Sequence, residues 1–238
     1  MNYFIFKGLV AVTKKEYQKI EDFMLSQIND TSHDEHHVYR VLNSALDIAN
    51  YADEKDIDVL IAACLLHDIG RDEQFANPEL CHAQVGSEKA YEFLLSQDWS
   101  AQKALHVKEC ISTHRFRSDN PPKSIEAKIV FDADKLDVCG AIGIARTLAY
   151  EGQVGGVLYT LDKSGNIITS VGDEETTSFF QEYNYKLKNV YDSFFTERGK
   201  EIALERQKTA IDFYNGLFNE ITQNNKRGID DDVWLQND

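Results

Sequence analysis

Between Asp56 and Gly70 the chain places apolar residues on nearly every face of a helix, with Val59, Leu60, Ile61, Ala62, Ala63, Cys64, Leu65 and Leu66 following one another without a charge. A surface helix needs one apolar stripe, so a helix that is apolar all round has to be enclosed by others. The run falls short of the roughly 20 apolar residues of a membrane span, which leaves the centre of a globular helical assembly. Asp56 and Asp58 suit the positive end of this helix, and Gly70 suits a left-handed residue closing it. His67 and Asp68 then fall in the last turn, where a buried His-Asp pair is costly unless it is neutralised.

The flanking sequence supplies the enclosing helices. Thr13 and Glu16 have the spacing of a capping box, and Tyr17, Ile20, Met24 and Ile28 continue at helical spacing, which predicts a helix over 13–29. Val38, Val41, Leu42, Ala45, Ile48 and Ala49 mark a second, whose first turn carries His33, Asp34, His36 and His37. Further helical patterns run over 81–97, 101–113, 124–150, 178–195 and 199–221. Strand signal is confined to a Gly-rich stretch near 152–172, where β-prone pieces at 157–161 and 166–171 flank the turn sequence Asp162-Lys163-Ser164-Gly165. The expected fold is all-α, a helical bundle with a small inserted β-hairpin or Gly-rich loop suited to a lid. A length of 238 residues fits one domain over 1–223, followed by a polar, acidic, mobile tail over 224–238.

Charge narrows the partners. Lys and Arg number 25 against 40 Asp and Glu, a net −15 that repels duplex nucleic acid. A small anionic substrate would need a metal ion or a few placed Arg and Lys side chains. Cys64, Cys81, Cys110 and Cys139 show no CxxC spacing and read as reduced structural thiols. The apolar stretch over 3–12 is short, is broken by Lys7 and lacks a basic start and a cleavage site, so a cytoplasmic protein with no membrane partner is expected, as monomer or homodimer.

The chemistry concentrates in a spaced set: His37, then His67-Asp68, then Asp134. Imidazole and carboxylate ligands suit Mn, Fe, Zn, Co or Ni, and four protein ligands leave positions for water and a substrate oxygen. Asp132 and Asp134 stand about 200° apart on a helix, so one of them faces the ion. Asp134 shares a face with Asp137 and is the choice; Asp132 is expected at the surface or in an outer layer. His36 is turned about 100° from His37, whereas His33 lies four residues before it on the same side, and Asp34 reads as an N-cap. His82 and His114 are candidates to orient water, donate a proton or hold a second ion. Arg71 and Lys135, beside the candidate ligands, are the local cations for a substrate phosphate; Arg40, one turn after His37, either reaches the site or pairs with an acidic neighbour.

His37, His67-Asp68 and Asp134 in Ala133-Asp134-Lys135-Leu136 resemble the HD-domain superfamily of metal-dependent phosphohydrolases, with its H, HD and D signature. The stretches His37-Val38-Tyr39-Arg40-Val41, Leu65-Leu66-His67-Asp68-Ile69-Gly70-Arg71, Ser112-Thr113-His114-Arg115 and Gly140-Ala141-Ile142-Gly143 are similar to the YedJ/YpgQ-type bacterial branch, and the resemblance spans about 15 to 220. It implies an HD helical bundle in which His37, His67, Asp68 and Asp134 bind a divalent metal (Mn, Fe, Co, Ni, Zn or Mg). Asp68, His82 and His114 are then the catalytic candidates, and Arg40, Arg71 and Lys135 the substrate-binding ones. The implied substrate is a small phosphorylated compound, a nucleotide above all, and the implied reaction includes pyrophosphohydrolysis of nucleoside triphosphates. The alternatives are an HD-domain di-iron oxygenase, which would recruit His82 and His114 to a second metal, and a nucleotide-sensing module without turnover. The chain has no Gly-Tyr-Pro tripeptide, against the cyclic-di-GMP phosphodiesterase branch, and carries Arg71 where (p)ppGpp hydrolases have an acidic residue.

Overall fold

The computed structural model describes residues 12–28, 35–115, 120–170 and 178–224. They form two compact units: one holds the described residues up to Asp137 together with Phe194–Glu201, the other those of Val138–Ser193 and from Ile202 onward. Among the described residues the secondary structure is helical apart from isolated β-bridges, as an all-α HD bundle requires. None of these helices is long and apolar enough to cross a membrane.

The first unit contains α1 (Lys14–Gln27), α2 (Glu35–Ala49), α3 (Ile57–Leu66), α4 (Arg71–Ala76), α5 (His82–Ser96), α6 (Ala101–Ser112) and α7 (Ile125–Leu136). Helix α3 is the enclosed one: Ile57, Val59, Leu60 and every residue from Ala62 to Leu66 are buried, and α1, α2, α5, α6 and α7 all pack on it. Each such Leu or Ile stabilises the fold by about 1.5–3 kcal/mol through the water it leaves. The side chain of Asp56 caps α3 by accepting from the amides of Asp58 and Val59, and Thr13 with Glu16 closes the expected capping box on α1.

Gly70 departs from the expected left-handed closure, with φ −100°. It is glycine for a different reason, because a Cβ there would stand 2.4 Å from the carbonyl oxygen of His82 and 2.6 Å from the amide nitrogen of Gly86. The backbone of α5 lies directly against the turn that carries His67 and Asp68. Gly70 thereby fixes the distance between two parts of the site.

The single helical pattern expected over 124–150 is two helices. Helix α7 ends at Asp137, and α8 (Gly140–Val154) starts after Cys139, in the second unit. Gly140 sits at φ +63°, and a Cβ on Gly143 would meet the carbonyl of Val138 at 2.2 Å, so the break relies on both glycines. The pattern over 178–195 likewise divides into α9 (Phe179–Tyr185) and a 3-10 turn, Leu187–Asp192. Phe179, Phe180 and Tyr183 pack edge-on or tilted against Phe213, Tyr214 and Phe218 of α10 (Glu197–Asn224). The expected hairpin reduces to one antiparallel bridge, Leu161 with Ile167. Its turn is as the residues demand, since Asp162 Oδ1 accepts from the amides of Ser164 and Asn166 at 2.8 Å and Gly165 takes φ +84°. Val171 and the tail from 225 lie outside the described residues.

Candidate metal centre

Six side chains from the first unit converge. His37 comes from the first turn of α2, His67 and Asp68 from the end of α3, His82 from the first position of α5, His114 from just beyond α6, and Asp134 from the last turn of α7. His37, His67, Asp68, His82 and His114 are all buried. Their donor atoms fall into two sets, His37 with His67 and Asp134, and Asp68 with His82 and His114; within each set the atoms lie within 4.8 Å of one another.

Asp68 joins the two. Its Oδ2 is 3.5 Å from His37 Nε2 and 3.4 Å from His67 Nε2, while its Oδ1 is 3.5 Å from His82 Nε2 and 3.6 Å from His114 Nε2. Asp134 Oδ1 closes the first set, 3.5 Å from His37 Nε2.

The other nitrogen of each ring explains why the first one is bare. His67 Nδ1 donates to the carbonyl of Cys64 at 2.8 Å, and His114 Nδ1 to that of Ile111 at 2.7 Å. His37 Nδ1 donates to Asp137 Oδ2 at 2.7 Å, and His82 Nδ1 to Gln74 Oε1 at 2.5 Å. A neutral imidazole has one N–H, so a proton on Nδ1 leaves the Nε2 lone pair pointing inward. Burial lowers the His82 pKa to about 2 against the pull of Asp68, and burial likewise lowers that of His114, so both rings are neutral near pH 7. Their Nε2 atoms face each other at 3.2 Å, and those of His37 and His67 at 3.3 Å.

The carboxylates complete the fit. Burial pushes Asp68 upward, but Arg71 beside it outweighs that and holds the acid well below the usual range; Lys135 does the same for Asp134. Both oxygens of Asp68 are buried without a hydrogen-bond partner. An ionised carboxylate in that state, ringed by inward-facing Nε2 atoms, is what a divalent cation satisfies, and the mix of imidazole and carboxylate suits the first-row metals named above.

Around the six stand the cations. Arg71 Nε lies 2.9 Å from Asp68 Oδ2, outside hydrogen-bond geometry, and Lys135 Nζ lies 2.7 Å from Asp134 Oδ2 and 5.1 Å over the Phe131 ring. Arg40 takes the acidic-neighbour course, donating from Nε to Asp137 Oδ1 at 2.7 Å and from Nη2 to Oδ2 at 2.9 Å. His36 is exposed, whereas His33 and Asp34 lie outside the described residues. Asp132, expected at the surface or in an outer layer of the site, is instead fully buried. It accepts from the amides of Phe195 and Thr196 at 2.9 and 2.7 Å and from Thr196 Oγ1 at 2.6 Å, which fixes the chain just before α10.

Three residues given no role from the sequence stand at the site. Asp137 orients His37; its signal was the three-residue spacing from Asp134 on one helical face. Gln74 orients His82 from α4, and no spacing rule points to it. Arg115 follows His114 and donates to Cys81 Sγ at 3.4 Å, next to His82.

Residues 35–139, which contain all six converging side chains, match the HD domain family. The protein YpgQ of Bacillus subtilis is 31% identical over 216 residues, 87% of this chain and 94% of that one. Its structure in complex with ADP has a TM-score of 0.67 at 26% identity, covering 86% of this chain and 97% of YpgQ. A Lactobacillus plantarum protein reaches 0.70 at 25% identity, covering 89% and 99% of the two chains. An HD-superfamily hydrolase of Bacillus thuringiensis reaches 0.64 at 25%, covering 88% and 98%. The signature in the sequence, the donor sets that it builds and these likenesses agree: the chain belongs to the HD domain family, as a hydrolase with a divalent metal cofactor.

Proposed function

We propose that this hydrolase cleaves a phosphoester or phosphoanhydride bond of a small phosphorylated substrate, a nucleotide above all, with nucleoside triphosphate pyrophosphohydrolysis within its range. The observation that carries the reading is Asp68, an ionised, buried carboxylate between two sets of inward-facing imidazoles, with Arg71 2.9 Å from it and Lys135 beside Asp134. Divalent metal bound there would acidify a water and polarise a phosphoryl oxygen.

The residues of the chain supply the rest. Arg71, Lys135 and Arg115 concentrate positive charge at one place in a chain of net charge −15, which draws an anion to the site and away from the remaining surface. Arg71 contacts Asp68 through Nε, so the outer edge of its planar guanidinium is the part suited to phosphate oxygens. Arg40 keeps Asp137 in place, which in turn holds the His37 ring; we assign it to positioning before substrate contact. His82 and His114 present bare Nε2 atoms to Asp68 Oδ1, which suits them to hold a second ion. Two ions in a hydrolase family need not mean oxygen chemistry, so the oxygenase alternative draws no separate support from that set. The nucleotide preference draws on YpgQ, a relative known in complex with ADP. The same reading takes the chain as one cytoplasmic HD domain with a polar tail.

The test is release of phosphate and pyrophosphate from nucleoside mono-, di- and triphosphates by chelated protein refilled separately with Mn, Co, Ni, Fe, Zn or Mg. Metal-dependent release identifies the bond cut. Silence across the panel from protein with metal bound would remove the nucleotide reading.

A further inference from the structure

Phe75 is 91% exposed, the most exposed large apolar side chain among the described residues. Large aromatic rings belong mostly in cores or interfaces, and this one stands on the shortest α-helix of the first unit. That helix is well anchored. Gly70 presses against the α5 backbone before it, Glu73 pairs with Lys89 at 2.6 Å, and Gln74 holds the His82 ring.

Arg71 and Gln74 reach Asp68 and His82, so together they mark the face of α4 that looks at the centre. At about 100° and 1.5 Å per residue, Phe75 lies about 40° round from Arg71 and about 6 Å farther along the axis. It therefore stands on the same side as Arg71, one turn farther along the helix and about 100° round from Gln74. The donors and cations of the centre suit phosphates, and a base needs an apolar surface besides them. Phe75, on the helix that carries Arg71, offers one.

We propose that Phe75 is the nucleobase platform of this site: with the phosphates drawn to Arg71 at the inner end of α4, the base stacks on the Phe75 ring at the outer end. This rests on the nucleotide reading above. An exposed aromatic face favours stacking over base-edge hydrogen bonding, so the platform tolerates different bases and selects for the presence of one.

The experiment titrates two uncleavable probes into metal-loaded protein by calorimetry, a methylene-bridged nucleoside diphosphate and methylenebisphosphonate, which share the diphosphate-like group and differ in the nucleoside. In Phe75→Ala the nucleoside probe should bind about 5- to 100-fold more weakly, while the bisphosphonate is unchanged. Phe75→Tyr should restore the nucleoside probe to within about threefold of the wild type. An unaltered nucleoside affinity in Phe75→Ala, or an equal loss for both probes, overturns the platform and leaves the phosphate site standing. Failure of the wild-type protein to bind the nucleoside probe more tightly than the bisphosphonate overturns it as well. Failure to bind either probe takes down the nucleotide reading and the platform with it. Sedimentation of the same variants is the remaining check: a dimer lost in Phe75→Ala would assign the ring to self-association instead.

Discussion

At the scale of residues, the site is a set of imidazoles whose orientation is decided by atoms outside it. His37 depends on Asp137, which accepts from Nδ1 and is itself held by two hydrogen bonds from Arg40. Removing that carboxylate frees the ring to turn and to carry its one proton on the inward nitrogen. Asp137→Ala should therefore weaken metal affinity about 10- to 100-fold with the fold intact, read from metal titration alongside circular dichroism; unchanged affinity would mean that Asp137 serves Arg40 alone. His82 gives a second prediction, about acid. Its folded pKa is lowered to about 2 by burial, while an unfolded histidine titrates near 6.5. Below that pH the unfolded chain takes a proton that the folded chain refuses, so stability falls as pH drops from 6.5 toward 2. His114 acts in the same direction and His37, whose pKa is raised by Asp137 and Asp68 against burial, in the opposite one. In chelated protein at pH 5.5 the share of His82 is on the order of 1 kcal/mol of lost stability. His82→Gln should flatten the fall in unfolding free energy between pH 7.5 and 5.5 by that amount, and an identical slope would show that His82 is already charged in the fold.

At the scale of elements, what the sequence disclosed followed from how local each cause is. Helix α3 was legible because its apolar residues run on all faces and its cap, Asp56, is next to them. His37, His67, Asp68 and Asp134 stood out as candidates because each part of the H, HD and D signature sits in a recognisable local stretch. Asp132 was misplaced because its partners, Phe195 and Thr196, lie more than sixty residues away. Gln74 had no signal for the same reason in miniature, since its role exists only once α4 folds back on α5. Gly70 was recognised as necessary and explained wrongly: helix-end chemistry is a local inference, and the close approach of α5 is not. That distinction can be measured. With φ at −100°, alanine is not strained at Gly70 by its own backbone, so the whole effect of Gly70→Ala should come from the 2.4 Å clash with the His82 carbonyl. We expect a loss of about 1–3 kcal/mol in urea unfolding, accompanied by weaker metal binding because His82 begins α5. A loss of stability with unaltered metal affinity would uncouple the turn from the site.

At the scale of the whole molecule, the question is how much of the fold depends on the centre. Two acids held ionised and four inward imidazoles are drawn from five elements of the first unit, so the ligands of each set tie together segments distant in sequence. Any ion that binds this set in the folded chain and not in the unfolded one stabilises by mass action, by about 2.7 kcal/mol at a hundred times its dissociation constant. Chelation should therefore lower the melting temperature of the entire first unit. The division of the donors into two sets joined by Asp68 adds a stoichiometry: two ions per chain, counted by elemental analysis after gel filtration. His114→Ala removes a donor from the second set alone and should leave one ion and part of the thermal stabilisation. Asp68→Ala removes the carboxylate common to both and should leave neither. If the wild type retains a single ion and His114→Ala keeps it with unchanged affinity, the second set is not a metal site, and its two neutral histidines return to the proton-carrying role that their burial and low pKa equally allow.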